Sequence, residues 1–102
     1  MTTTITVIVD NPADRALFER GYPDLLSLAK KIPGVQRVQT SKVWPKEDGS
    51  STPAYRLIEL YFADYDAASQ AVTTAEAGAF FPALLEFATG GVRIAFADVE
   101  EY

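Results

Sequence analysis

The stretch AYRLIELYFA, residues 54–63, is the longest apolar strand candidate in the chain, and it carries one acid, Glu59, near its middle. Side chains alternate between the two faces of a strand. One face is nearly all hydrocarbon and would pack under helices: Arg56, Ile58, Leu60 and Phe62. The other face is also apolar but holds the carboxylate between phenols: Tyr55, Leu57, Glu59 and Tyr61. A strand that is apolar on both faces is typical of a central strand covered twice. The sequence therefore predicts a cover on each side of it.

Composition limits the class of protein. The chain has 102 residues, of which 48% are hydrophobic, and this predicts one domain over residues 1–102 with a modest core. The net charge of −5 argues against nucleic acid and anionic membranes as partners. No segment approaches the roughly 20 apolar residues of a membrane span. The first ten residues, MTTTITVIVD, lack the features of a signal peptide, so we expect a cytoplasmic protein.

Two absent residue types exclude most catalytic and metal chemistry. The chain has no cysteine, which removes disulfides, thiolate nucleophiles and thiolate metal sites. It also has no histidine, which removes the Ser-His-Asp arrangement, histidine-ligated zinc and the usual haem ligand. No acidic spacing supports a magnesium or calcium site. We therefore expect neither a metal nor a cofactor, and any acid–base chemistry must come from Asp, Glu, Tyr or Lys.

Local patterns predict four strands, at residues 3–10, 35–44, 54–63 and 92–99. The second is polar enough to suggest a sheet edge. Residues 45–53, PKEDGSSTP, are predicted to be a flexible loop.

Two helical regions lie between the strands. Asn11 as N-cap and Pro12 at the first helical position predict a helix start. The interruption at residues 21–23, Gly-Tyr-Pro, predicts two short helices or one broken helix over residues 12–32.

The second helical region is predicted to begin at an Asp64 cap and to break at Gly78. A strongly apolar helix then follows with Pro82 in its first turn, and it ends at Thr89-Gly90-Gly91.

The resulting order, β-α-β-β-α-β, predicts an α+β, ferredoxin-like fold with a four-stranded antiparallel sheet. Right-handed crossovers place the first and third strands in the middle and both helices on one face. The other face is then bare and, by alternation, largely apolar, which usually marks an interface. We therefore expect a homodimer in which two sheets face each other and form a dimeric α+β barrel.

Three stretches together resemble the EthD-like family, named for ethyl tert-butyl ether degradation. They are residues 31–34 (KIPG), 55–62 (YRLIELYF) and 87–92 (FATGGV), and the resemblance spans nearly the whole chain. It implies a dimeric α+β barrel, often in bacterial catabolic or biosynthetic operons, related to small isomerases, cyclases and cofactor-free oxygenases. Many members carry a histidine about seven residues before the Ile-Pro-Gly turn. This chain has Leu25 there, which puts the family's catalytic chemistry in doubt.

Glu59 is the main candidate for chemistry. Burial among tyrosines would disfavour its charged form, which suits a general acid or base. The alternative is a structural carboxylate paired with a cation such as Arg37 or Arg93.

Aromatic residues and one leucine are candidates for a ligand pocket, since they can stack on a ring and offer hydroxyl hydrogen bonds. With Glu59, the predicted pocket consists of Tyr22, Trp44, Tyr55, Leu57 and Tyr61. The alternative is that these tyrosines fill the core or a dimer interface.

Two functions follow from these residues. The first is a small-molecule-binding or accessory protein in bacterial catabolism of an apolar or aromatic compound. The second is a cofactor-free isomerase, cyclase or monooxygenase that uses Glu59 and a tyrosine such as Tyr61. A fold that serves only for dimerisation is a third possibility.

Overall fold

A computed structural model describes residues 1–101, which form four strands and three helices. The strands are β1 (Thr3–Val9), β2 (Arg37–Lys42), β3 (Arg56–Phe62) and β4 (Val92–Asp98). The helices are α1 (Arg15–Lys30), α2 (Tyr65–Ala71) and α3 (Ala75–Phe87). Within residues 1–101, no helix has the length and apolar character needed to cross a membrane.

The strands form one antiparallel sheet in the order β2-β3-β1-β4. This confirms the predicted ferredoxin-like arrangement, with β1 and β3 in the middle and β2 at an edge. The register places Val7 of β1 opposite Ile58 of β3 and Ile94 of β4. These three side chains share one face of the sheet, and the helices bury Val7 and Ile58 there, whereas Ile94 is exposed.

The core lies between that face and the helices. Its fully buried large side chains come from β1, β3, α1 and α3: Ile5, Val7, Val9, Ile58, Leu60, Phe62, Phe18, Leu25, Phe80 and Leu84. Burying each such side chain contributes roughly 1.5–3 kcal/mol. The Leu25 position, where the family often has histidine, is therefore a packing position in this chain.

Helix α1 begins later than predicted and is continuous. The Asp14 carboxylate accepts a hydrogen bond from the Leu17 amide at 3.0 Å, so Asp14 is the N-cap. The prediction of Asn11 as the cap was wrong, because its amide instead donates to the carbonyl of Thr52 at 3.0 Å. The predicted break at residues 21–23 is also absent. Gly21 is buried, and a Cβ there would lie 2.5 Å from the Phe87 ring, so this glycine permits helix packing and does not end the helix.

The second helical region does divide, but at a different place. Asp64 caps α2, as predicted, by accepting from the Ala67 amide at 2.8 Å. The division falls at residues 72–74, where the Thr74 hydroxyl caps α3 by accepting from the Ala77 amide at 3.2 Å. Gly78 is consequently inside α3, and Pro82 lies beyond its first turn, which corrects both predictions.

Candidate functional site

The sheet face opposite the helices is the open face, and each strand contributes three side chains to it. By the register these are Arg37, Gln39, Ser41, Leu57, Glu59, Tyr61, Thr4, Thr6, Ile8, Arg93, Ala95 and Ala97. The prediction of a largely apolar face was wrong in part, because β1 places Thr4 and Thr6 here and β4 places Arg93 here beside two alanines. The large apolar side chains of this face are Ile8 and Leu57, which are directly opposite each other, and the Tyr61 ring lies four residues further along β3.

A cluster of polar side chains from β2 and β3, called the polar group, lies on this face and consists of Arg37, Gln39, Glu59 and Tyr61. Gln39 is paired with Glu59 in the register, and Arg37 with Tyr61. The Tyr61 hydroxyl donates to Gln39 Oε1 at 3.0 Å and lies 3.3 Å from Glu59 Oε2. The Arg37 guanidinium lies 4.2 Å from the centre of the Tyr61 ring, a cation–π geometry. One phenol is thus held by a cation over its ring and by two acceptors at its hydroxyl.

The cations proposed as partners of Glu59 are used elsewhere. Arg37 stacks on Tyr61, and Arg93 pairs with Asp10 at 3.2 Å. Glu59 is half-buried, and its side-chain partner is the phenol. The Tyr61 phenol and the Glu59 carboxylate thus form one hydrogen-bonded unit.

A cavity of about 370 Å³ adjoins this unit at the end of the sheet. It is lined by Thr2, Gln36, Arg37, Tyr61, Val99 and Glu101. Tyr61 forms part of its wall, whereas Glu59 is not among the lining residues. A ligand in this cavity would therefore meet the phenol first, and direct contact with Glu59 remains a prediction.

Tyr55 does not share the face of Tyr61, contrary to the alternation. Strand β3 begins at Arg56, so strict alternation does not extend to residue 55. The Tyr55 ring packs edge-on against Phe18 of α1, with centroids 5.5 Å apart. Its hydroxyl donates to the Glu19 carboxylate. Burial raises the pKa of Tyr55 above 10.0, and the hydrogen bond to Glu19 raises it further.

Arg56 completes a cluster on the helix side of the sheet, the helix-side cluster, which consists of Glu19, Tyr22, Tyr55 and Arg56. Arg56 pairs with Glu19 at 3.1 Å, and its guanidinium lies 4.3 Å from the centre of the Tyr22 ring. Sequence reasoning missed Glu19. The available signal was the charge of Arg56 on a face otherwise buried under helices, since such a charge requires a partner.

The predicted pocket residues therefore lie in three places in this chain. Leu57, Glu59 and Tyr61 are on the open face, and Tyr22 and Tyr55 are on the helix side. Trp44 lies after β2, is 87% exposed, and lines a cavity of about 340 Å³ with Lys42, Val43 and Pro45. Within residues 1–101, no group of three or more acidic residues is placed to hold a metal ion.

No family model matches the chain. A protein of Rhodococcus erythropolis, described as an uncharacterized 11.0 kDa protein in the thcB-thcC intergenic region, is 34% identical over 97 residues. That match covers 94% of this chain and 93% of the Rhodococcus protein.

Solved structures match the fold. An ethyl tert-butyl ether degradation (EthD) family protein of Bacillus halodurans has a TM-score of 0.89 and 22% identity, covering 98% of this chain and 100% of its own. A dimeric ferredoxin-like protein from Jannaschia sp. CCS1 has a TM-score of 0.70 and 13% identity, covering 97% and 100%. SnoaB, a cofactor-independent oxygenase of Streptomyces nogalater, has a TM-score of 0.67 and 15% identity, covering 99% and 94%. The predicted EthD-like fold is confirmed.

Proposed function

Because the chain belongs to one family with the 11.0 kDa Rhodococcus erythropolis protein and has the EthD-like fold, we propose that it is a homodimer that binds a small apolar or aromatic molecule at the open face. The observation that carries the proposal is the Tyr61 hydroxyl, held 3.3 Å from Glu59 beside a cavity of about 370 Å³. Ligand sites of this size commonly combine apolar walls with a few placed polar groups.

The dimer follows from what the chain leaves uncovered. The helices cover β1 and β3 on one face of the sheet, while Ile8 and Leu57 lie opposite each other on the other face. A second copy placed face to face would bury both and enclose the polar group. Stable homodimers commonly bury about 2,000 Å² or more in total. The dimeric state of the Jannaschia protein supports this arrangement.

Enclosure in the dimer would also leave Glu59 and Tyr61 with hydrogen-bonding capacity that a ligand can fill. A carboxylate and a phenol inside a barrel need partners, because unpaired buried polar groups are costly. Tyr61 satisfies one acceptor of Glu59, and a ligand carbonyl or hydroxyl would satisfy the rest. The bound molecule would thus be apolar over most of its surface, with one oxygen function near Tyr61.

The second candidate is a cofactor-free isomerase, cyclase or monooxygenase. The Tyr61–Glu59 hydrogen bond favours it, since a carboxylate beside a phenol can accept and return a proton. SnoaB, a cofactor-independent oxygenase, has a similar fold, and this likeness supports the second candidate. In this case Glu59 is the base and Tyr61 orients the substrate oxygen.

The test is a panel of single-ring and fused-ring phenols and ketones, screened by the rise in melting temperature that a bound ligand causes. Tyr61→Phe and Glu59→Gln should weaken binding of any compound found. The matched controls Tyr65→Phe and Glu86→Gln change exposed residues on α2 and α3 and should not. Binding that is unchanged in both Tyr61→Phe and Glu59→Gln, or no binder in the panel, would contradict the proposal. If Glu59→Gln abolishes turnover of a compound but still binds it, the result would favour the enzyme over the binding protein.

A further inference from the structure

A second cavity lies away from the open face, between the start of α1, the end of β2 and the segment before β3. Its volume is about 190 Å³. It is lined by Asn11, Arg15, Lys42, Val43, Pro45, Thr52, Ala54 and Tyr55. Two hydrogen bonds join Asn11 and Thr52 in its wall. The Asn11 side-chain amide donates to the Thr52 carbonyl at 3.0 Å, and the Thr52 hydroxyl donates to Asn11 Oδ1 at 3.3 Å.

The charge of this cavity is opposite to that of the protein. The chain carries a net charge of −5, yet the lining includes two cations, Arg15 and Lys42, and no carboxylate. Within the described residues 1–101, neither cation takes part in an ion pair. Glu19, one helical turn after Arg15, is occupied by Arg56 and by the Tyr55 hydroxyl. Two cations that make no ion pair can hold an anion between them.

Both cations are exposed, and apolar and aromatic side chains form part of their surroundings. The Arg15 guanidinium lies 5.7 Å from the centre of the Tyr55 ring. The cavity beside Trp44, of about 340 Å³, shares Lys42, Val43 and Pro45 with this one. The smaller cavity has the volume of about six water molecules, enough for an anionic head. The larger reaches the size of small-molecule sites and offers a tryptophan for stacking.

We infer that the two cavities together form a binding site for a small aromatic carboxylate, with the carboxylate between Arg15 and Lys42 and the ring against Trp44. The site uses no residue of the open face, so it stands independently of the proposed function.

Trp44 is the only tryptophan in the chain, so its fluorescence reports this site directly. We expect benzoate to change that fluorescence in a saturable way, with an affinity that falls as salt is added, because the attraction between exposed charges is screened. Acetate, which lacks the ring, and benzyl alcohol, which lacks the charge, should bind at least about tenfold more weakly, since each loses one part of the contact. A benzyl alcohol response equal to that of benzoate, or no saturable response to benzoate, would overturn the inference.

Variants locate the anion. Arg15→Gln and Lys42→Gln should each weaken benzoate binding about tenfold, the loss expected for one charge-assisted hydrogen bond. Lys46→Gln is the matched control, because Lys46 lies in the loop that follows Lys42 but lines neither cavity. Equal weakening by Lys46→Gln would show a diffuse charge effect. No weakening by Arg15→Gln and Lys42→Gln would show that these cations do not hold the anion. Either result would refute the site. Glu59→Gln should leave benzoate binding unchanged, which separates this result from that at the open face.

Discussion

Glu59 and Arg56 lie on the same strand, and the chain satisfies their charges in different ways. Alternation placed Glu59 on the face away from the helices, because that rule needs only residues 56–62 to form a regular strand. The partner of Arg56 could not be predicted in this way. Glu19 is 37 positions earlier and approaches only when α1 packs on the sheet. Tyr55 was misplaced for a related reason, since it lies just before the regular strand begins.

Tyr55 links the stability of the fold to alkaline pH. Burial, and then the hydrogen bond to Glu19, raise the pKa of Tyr55 above 10.0. The folded chain therefore holds this proton more tightly than the unfolded chain. The resulting contribution to the free energy of unfolding is complete below about pH 10 and is lost as the pH rises through the folded pKa.

We expect Tyr55→Phe to lower the free energy of unfolding at neutral pH by about 1 kcal/mol, the worth of one hydrogen bond. It should also reduce the alkaline loss of stability. Urea denaturation from about pH 8 to about pH 11 measures both quantities. An unchanged pH dependence in the variant would show that Tyr55 is not the group responsible.

At the scale of elements, the strands were predicted more accurately than the helices. Runs of β-branched residues with alternation are local signals, and all four predicted strands are present with slightly shorter bounds. The predictions divided the helices at glycines, but neither Gly21 nor Gly78 ends a helix in the structure. In α1, the packing of Gly21 on Phe87 preserves the helix, so tertiary contact outweighs local propensity.

Gly21 and Gly78 offer a matched pair of substitutions. Alanine at residue 21 would place its Cβ 2.5 Å from the Phe87 ring, forcing α1 and α3 apart. We expect Gly21→Ala to destabilise the fold by about 1–3 kcal/mol, as overpacking does. Alanine at residue 78 meets nothing within 4 Å and should stabilise α3 by up to about 1 kcal/mol.

Chemical denaturation of both variants gives the comparison. Opposite signs of the change are the expected result. A gain in stability from Gly21→Ala would mean that the contact between α1 and α3 is looser than the structure indicates.

At the scale of the whole molecule, the order of elements was sufficient to predict the fold. The location of the predicted pocket residues was not, because they belong to segments that meet only after folding. Tyr22 lies on α1 and Tyr55 packs against that helix, while Trp44 is exposed. The open face also carries several threonines and alanines, so its large apolar or aromatic side chains are Ile8, Leu57 and Tyr61. A partner sheet would have to cover these three side chains.

The proposed dimer is tested most directly by the mass of the protein in solution. Sedimentation equilibrium at micromolar concentration should give twice the chain mass of 11.1 kDa for the unmodified protein. Leu57→Arg places a charge on the open face, opposite Ile8, and should shift the mass to that of one chain. Leu85→Arg is the control, since Leu85 is 61% exposed on α3, and it should remain a dimer. A stable monomer of the unmodified protein, or a Leu57→Arg variant that remains a dimer, would contradict the account.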